Sequence, residues 1–275
     1  MLTWLKSSKD KMRYNPDGKG IFVFTDAAGA NSLLAIIDQM MRFSLRPEED
    51  FLVFTNDQGK FDKSEYPFVV NKEFESNWVS NCIREFQPDY IFTATSIHSY
   101  EHEWRKLGAK FGIETIGYVD HWVLYKERFL KNGELLYPDK VLVVNEIAKT
   151  EAIEEGVPEK NIEVFGNPYY EKVRTYEPDV SKEQFFKNHE LDLNKKIILF
   201  VSESIRYCDD FPKGDDGLSY LGFDEYTVVE NVLDSFKEMH DDGFSFSNFT
   251  FVLKIHPISE LDKFDSITSS GKYDF

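Results

Sequence analysis

The feature that most constrains the fold is a strand, turn and helix pattern that recurs from residue 20 to residue 166. It begins with 20–25, a β-branched and aromatic run, and continues through a turn of small residues at 26–31. Between Ser32 and Phe43, apolar residues recur at helical spacing. Short apolar runs bounded by turn residues are typical of buried strands, and an apolar helical stripe is typical of a helix packed on a sheet.

The same alternation continues along the chain. Further strands are predicted at 51–55, 67–70, 90–94, 114–119, 140–144 and 161–165, and helices at 77–86, 101–111 and 148–155. Strands that alternate with helices form right-handed βαβ units around a parallel sheet. The sequence therefore predicts an α/β fold, with a doubly wound, mainly parallel, Rossmann-like sheet of six or seven strands.

A second α/β unit follows the break at Gly166-Asn167-Pro168. Its predicted elements are helices at 182–189 and 225–240 and strands at 196–201 and 249–255. We therefore predict an N-terminal domain over 1–168 and a partial C-terminal Rossmann-like domain over 169–275. Two parallel strands do not form a stable sheet alone. We expect a domain shortened at its C-terminus, with its open edge covered by residues 258–275 or by a second copy of the chain.

Charge and cysteine content exclude several classes of protein. The net charge of -17 excludes a uniformly basic nucleic-acid surface, and an anionic membrane would repel it. Cys82 and Cys208 show neither a disulfide framework nor zinc spacing, which fits a reducing cytoplasm. No apolar run predicts a signal peptide or a transmembrane segment. We predict no metal site, no cofactor and no nucleic-acid partner, and a homo-oligomer is compatible with the sequence.

The turn after the first strand is the first candidate ligand site. Ligands of open α/β sheets bind at the carboxyl ends of strands, so Gly29 and Asn31 are candidate binding residues. An equally good interpretation is that Gly29 only lets the helix pack closely on the strand. One glycine is not the dinucleotide fingerprint, so a nicotinamide cofactor is disfavoured.

The most unusual stretch follows the strand at 114–119. Asp120 and His121 emerge at its carboxyl end, and a carboxylate beside an imidazole can orient a general base. Tyr125 and Arg128 are candidate substrate-binding residues, with Arg128 suited to a phosphate or a sugar acid. The structural alternative is a loop in which His121 and Trp122 plug the sheet edge.

Two further groups follow the strands of the second unit. Ser202, Ser204 and Arg206 suit a pyrophosphate, although an ordinary turn explains them too. Lys254 and His256 share one face at the end of the next strand, where they are candidate binding residues. An equally good interpretation is that His256 is an edge histidine with a structural partner. The acidic loop at 209–216 has no calcium-loop spacing and is best interpreted as a solvated loop.

The order of several motifs resembles GT-B-type nucleotide-sugar enzymes: polysaccharide-biosynthesis glycosyltransferases, CDP-glycerol-type transferases and UDP-N-acetylglucosamine 2-epimerases. The motifs are the turn at Gly29, Pro88-Asp89 before a strand that ends in Thr95-Ser96, Gly117-Tyr-Val-Asp-His-Trp122 at the place of the epimerase His-x-Glu-Ala-Gly, Ile162 to Pro168, and Lys254-Ile-His-Pro257. Ser269-Ser270 departs from the pattern, because no matching Glu follows it.

The resemblance implies a division of labour between the two domains. The first would receive the acceptor, with Ser96 near it and Asp120 or His121 as the base, and the second would bind the nucleotide-sugar. The leading hypothesis is transfer of a glycosyl or glycerophosphoryl group from a nucleotide-activated donor in cell-envelope or glycan biosynthesis, to a glycan or lipid-linked acceptor. The alternatives are a sugar-nucleotide epimerase, using Asp120 and Glu127 as paired carboxylates, and a truncated protein that binds nucleotide-sugars without catalysis.

Overall fold

A computed structural model describes residues 18–56, 61, 63–96, 99–207, 222–257 and 259–273. The chain divides into two compact units between Tyr176 and Glu177. None of the helices in these ranges combines the length and the apolar character that a bilayer crossing needs.

The first unit is built around one parallel sheet. Its elements in chain order are β1 (Gly20–Val23), α1 (Ala27–Arg42), β2 (Phe51–Thr55), β3 (Val69–Asn71), α2 (Ser76–Phe86), β4 (Tyr90–Thr93), α3 (Tyr100–Phe111), β5 (Glu114–Val119), β6 (Leu130–Lys131), β7 (Glu134–Leu135), β8 (Lys140–Val143), α4 (Glu146–Glu154), β9 (Ile162–Val164) and α5 (Pro168–Arg174). Seven strands pair in the order β3-β2-β1-β4-β5-β8-β9, every neighbouring pair parallel. This confirms the predicted doubly wound sheet.

The central strands are buried on both faces. In β1 and just after it, Phe22 and Phe24 pack into one apolar cluster, and Ile21 and Val23 pack into the other. A strand covered on both sides needs apolar residues at every position, which is why its sequence is a continuous run rather than an alternation. The polar residues that follow such strands are therefore the first ones that reach the carboxyl edge of the sheet.

The second unit has two strands among its described residues. Its elements are α6 (Lys182–Asn188), β10 (Lys196–Val201), α7 (Glu225–Asp241), β11 (Phe249–Lys254) and α8 (Leu261–Thr268). The strands pair in parallel with Lys196 opposite Phe249. Phe264 of α8 joins Val229 and Leu233 of α7 in a cluster against the strands. Within 258–275, the described residues thus form a helix on one face of the strand pair.

Two helices were not predicted. α5 carries the ordinary start signals, because the Asn167 side chain caps it and Pro168 stands in its first turn. Its seven residues are too few for a clear helical period, so the sequence at Gly166-Asn167-Pro168 indicates only a break between the two units. α8 has apolar residues at helical spacing, Leu261, Phe264 and Ile267, but its eight residues are too few for a clear helical period.

Candidate functional site

The candidate site of the first unit lies where the chain leaves β1, β4 and β5. These neighbouring parallel strands end at one edge of the sheet, and they are followed by Asp26, Thr95 and Asp120. Asp26 begins α1, and its side chain accepts a hydrogen bond from the Gly29 amide at 2.7 Å. The fold therefore brings two carboxylates to the same edge.

Asp120 is held by Arg128 from the loop after β5. The Arg128 Nη1 lies 3.5 Å from Asp120 Oδ1 and donates a hydrogen bond of 2.9 Å to the Thr95 carbonyl. Its Nε donates to the Val123 carbonyl at 3.2 Å. Because one guanidinium contacts both segments, the loop after β5 is fixed against the loop after β4. Both charged side chains are largely buried, with 13% and 14% of their surface exposed.

The surroundings of Asp120 raise its pKa above the ordinary value for aspartate. Burial is the largest cause, and the negative charge of Asp26 adds to it, whereas the positive charge of Arg128 lowers the pKa. A carboxylate with a raised pKa is a better proton acceptor, and its remaining exposure lets a ligand reach it.

The other charged residues of this stretch are exposed, and the charge of His121 lowers the pKa of Asp120. His121 is exposed, and its ring lies edge-on to Trp122 with centroids 6.5 Å apart. Among the described residues, the hydrogen-bonding partner of the Asp120 side chain is Arg128, so the structure does not show the expected orientation of His121 by Asp120. Glu127 is exposed, and after burial its negative charge is the next cause that raises the pKa of Tyr137. The carboxylate whose charge raises the pKa of Asp120 is Asp26.

Two predicted binding residues are enclosed in the protein. Tyr125 is 1% exposed, packs in the core and donates a hydrogen bond of 2.8 Å to Glu151. The hydroxyl of Ser96 is also buried and donates to Glu101 Oε2 at 2.7 Å. These contacts hold the loops that carry Asp120 and Thr95, and they leave neither hydroxyl facing a ligand.

The two candidate residues of the turn after β1 differ in their surroundings: Gly29 packs against the sheet and Asn31 is exposed. A Cβ added to Gly29 would lie 2.6 Å from the Ala94 Cβ, so the glycine is needed for close packing of α1 on β4. This observation favours the packing interpretation of Gly29. Asn31 is exposed at the first turns of α1 and stays a candidate binding residue.

Two buried charged residues beneath this edge were missed by sequence reasoning. Glu101 and Arg105 of α3 are almost wholly buried, and Arg105 Nη1 donates to Thr93 Oγ1 at 2.7 Å and to the Ala94 carbonyl at 3.1 Å. Burial raises the pKa of Glu101 and lowers the pKa of Arg105 to about 10. Together with the Ser96 contact, the pair fixes the end of β4 from below.

The predicted residues of the second unit also gather at one strand edge. Val201 of β10 is opposite Lys254 of β11, so Ser202 and Ser204 follow one strand where His256 follows the other. Lys254 and Ser204 are at least partly accessible, whereas Ser202 is 4% exposed and its hydroxyl donates to the Glu203 carbonyl.

Arg206 is occupied by a buried carboxylate. Its Nε and Nη2 lie 2.6 and 2.5 Å from Oδ2 of Asp224, which is fully buried and caps α7. The guanidinium therefore has a structural partner before any phosphate binds. Cys208 and the acidic loop at 209–216 lie outside the described residues. No cluster of metal-ligating side chains occurs within the described ranges.

Comparisons with known proteins show similarity to solved structures only. No protein-family model and no curated protein matches the chain. The S. aureus MnaA–UDP co-structure aligns with a TM-score of 0.57 and 11% identity, covering 94% of this chain and 67% of that one. UDP-GlcNAc 2-epimerases from Methanocaldococcus jannaschii and from Neisseria meningitidis, the latter bound to UDP-GlcNAc, give TM-scores of 0.56 and 0.54. Both are 14% identical to this chain, and both alignments cover 92% of it. The alignments cover 71% of the Methanocaldococcus jannaschii protein and 70% of the Neisseria meningitidis protein.

The comparisons confirm the resemblance at the level of fold. The chain has the α/β, Rossmann-like architecture of GT-B-type nucleotide-sugar enzymes, and it spans about two thirds of the length of these solved structures.

Proposed function

We propose that this protein binds a nucleotide-sugar and acts on it by proton transfer at Asp120. The observation that carries the proposal is the environment of the Asp120 carboxylate. It is partly accessible, its pKa is raised by burial, and it follows a central strand of a sheet whose carboxyl edge is where such folds bind ligands. Two of the similar solved structures are named as complexes with UDP or UDP-GlcNAc, which supports a uridine nucleotide-sugar as the ligand.

Epimerisation at the sugar C2 is the favoured reaction. A proton must leave one face of the carbon and another must arrive on the opposite face, so two proton-transfer groups are needed. Asp120 and Asp26 supply two carboxylates at one edge, with Asp26 close enough for its charge to raise the pKa of Asp120. The similar structures named above as epimerases support this reaction over glycosyl or glycerophosphoryl transfer.

We propose that residues of the second unit bind the nucleotide part of the ligand. Lys254 ends β11, Ser204 and His256 follow the two strands, and all three suit a diphosphate. Arg206 is assigned a different part: its ion pair with Asp224 stabilises the loop after β10 and the start of α7. His121 stays available as a second acid or base beside Asp120, because it is exposed on the same loop.

A thermal-shift panel of UDP, CDP, GDP and CMP sugars tests the ligand class. A ligand that binds only the native state at one hundred times its Kd raises the free energy of unfolding by about 2.7 kcal/mol. We expect stabilisation by a uridine nucleotide-sugar and its loss in the Lys254→Ala variant. Lys263→Ala, which removes a lysine from α8, is the matched control. Stabilisation by none of the panel would overturn the proposal, and binding without turnover would identify a non-catalytic binding protein.

A further inference from the structure

A cavity lies at the same carboxyl edge of the first unit, on the side of β8 and β9. Its volume is about 360 Å³. The lining comes from three separate segments, the loop after β5, the end of β8 with the start of α4, and the chain from β9 into α5: Trp122, Val144, Asn145, Phe165, Asn167, Tyr170, Glu171 and Arg174 among them. We call it the aromatic cavity. Its size falls within the roughly 300–1,000 Å³ that is usual for ligand pockets.

Aromatic rings form the walls of the aromatic cavity. Trp122 is half-buried, and its Nε1 donates to Asn145 Oδ1 at 3.3 Å, which fixes the indole. Phe165 lies edge-on to Tyr118, with centroids 6.1 Å apart. Tyr170 is 57% exposed on α5. Fixed rings around an open space favour a ligand with a flat or apolar face, because they bury area at little cost in conformational entropy.

Two polar side chains of the aromatic cavity, Asn145 and Asn167, have amide groups that can donate hydrogen bonds. Asn145 Oδ1 accepts from the Ala148 amide, and Asn167 Oδ1 accepts from the Tyr169 amide, so each side-chain oxygen is used by a helix cap. The hydrogen-bond contacts of these two side chains among the described residues are made by the oxygens alone. Each Nδ2 is therefore left with two N–H groups to donate to hydroxyl or carbonyl oxygens of a ligand.

The charges of the aromatic cavity cancel. Glu171 and Arg174 are the charged side chains of its described lining, and they form a two-pronged ion pair, with Arg174 Nε 2.9 Å from Glu171 Oε2. The neighbouring Lys172 is bound elsewhere, to Asp38 at 2.9 Å. A phosphate would therefore meet no spare cation in this lining, and a neutral ligand is favoured.

From these observations we infer that the aromatic cavity binds a neutral carbohydrate ring. A pyranose offers an apolar face to the indole and hydroxyl oxygens to the two asparagine amides. The inference goes beyond the proposed function and concerns residues other than Asp120 and Asp26; only the case in which the ring is the donor's own sugar rests on that function. The ring is either the sugar of the nucleotide-sugar or a separate saccharide, and the two sources share this chemistry.

Fluorine NMR of the full chain labelled with 5-fluorotryptophan tests the assignment. The chain has four tryptophans, and Trp122→Phe identifies the resonance of interest. We expect millimolar glucose or N-acetylglucosamine to shift the Trp122 resonance, and glucose 6-phosphate or UDP alone to leave it in place. If saturating UDP-GlcNAc itself shifts the Trp122 resonance and free sugar then causes no further shift, the ring is the donor's own sugar. If the shift persists, a separate saccharide binds.

Two variants measured by ligand-observed NMR complete the test. Asn167→Ser keeps a good helix cap but removes the amide donor, and we expect two- to tenfold weaker sugar binding, which is about 0.5–1.5 kcal/mol. Trp122→Ala should weaken binding by more than tenfold. Ser181→Asn, an exchange of cap residues at α6, is the matched control and should change nothing. The inference is overturned if neutral sugars leave Trp122 unperturbed, if only the anionic probes shift it, or if Asn167→Ser and Trp122→Ala bind sugar like the wild type.

Discussion

Replacing Arg128 with glutamine should raise the pKa of Asp120. The Arg128 Nη1 lies 3.5 Å from Asp120 Oδ1, and at an effective dielectric constant of about 20 the attraction of two unit charges at that distance is about 5 kcal/mol. The charge is spread over the guanidinium, and water screens part of it. We therefore expect the Asp120 pKa to be about one to three units higher in Arg128→Gln than in the wild type.

Carbon NMR of the aspartate side-chain carboxyls measures this change directly. The Asp120 signal is identified by its absence in Asp120→Asn, and Arg128→Lys serves as the control that keeps the positive charge. Arg128→Lys should titrate near the wild-type pH. An Asp120 signal that titrates in Arg128→Gln at the wild-type pH or below it would refute the account of this site.

The same change has a consequence for stability. Because the pKa of Asp120 in the folded state exceeds its unfolded value, the folded state binds more protons between the two pKa values. The free energy of unfolding contributed by this group therefore falls as the pH rises from the unfolded pKa of about 3.9 through the folded pKa. In Arg128→Gln this fall should continue to a higher pH, which urea unfolding at several pH values can measure.

Three further substitutions test the packing around the two sheets. Gly29→Ala places a Cβ 2.6 Å from that of Ala94 and should cost about 1–3 kcal/mol of unfolding free energy in urea; a neutral result would mean that α1 shifts freely. Glu101→Gln removes the buried negative charge that acts on Arg105 and should cost about 1–3 kcal/mol, whereas a loss below about 1 kcal/mol would show that Glu101 is protonated in the native state. Phe264→Ala removes a ring that is 1% exposed and should lower the protection of α7 amides from hydrogen exchange by about 3–5 kcal/mol, and unchanged protection would place Phe264 outside that cooperative unit.

The strands could be predicted because a strand that is buried on both faces consists largely of apolar residues. β1 is a continuous apolar run and β5 ends in one, Ile116 to Val119, which is what two covered faces require. Asp120 was predictable for the same reason, since the first polar residue after such a run must reach the sheet edge.

Contacts between distant segments could not be predicted in the same way. The contact between Arg128 and Asp120 depends on the path of the loop after β5, and no periodic sequence pattern predicts the path of a loop. Glu101 and Arg105 stand in a helix where charged residues ordinarily face water, so nothing in the pattern marks them as buried. The aromatic cavity joins residues after β5, β8 and β9, and only the order of strands in the sheet makes them neighbours.

The most direct test of the proposed function is exchange of solvent deuterium into the sugar C2 of UDP-GlcNAc, compared between the wild type and Asp120→Asn. We predict that the wild type incorporates deuterium. Asp120→Asn should do so about 10²- to 10⁴-fold more slowly, the usual cost of losing a general base, while UDP-GlcNAc raises the thermal stability of both proteins equally. Equal rates of exchange in the two proteins, or binding by the wild type with no deuterium at C2, would contradict the assignment of Asp120 as the group that takes the proton.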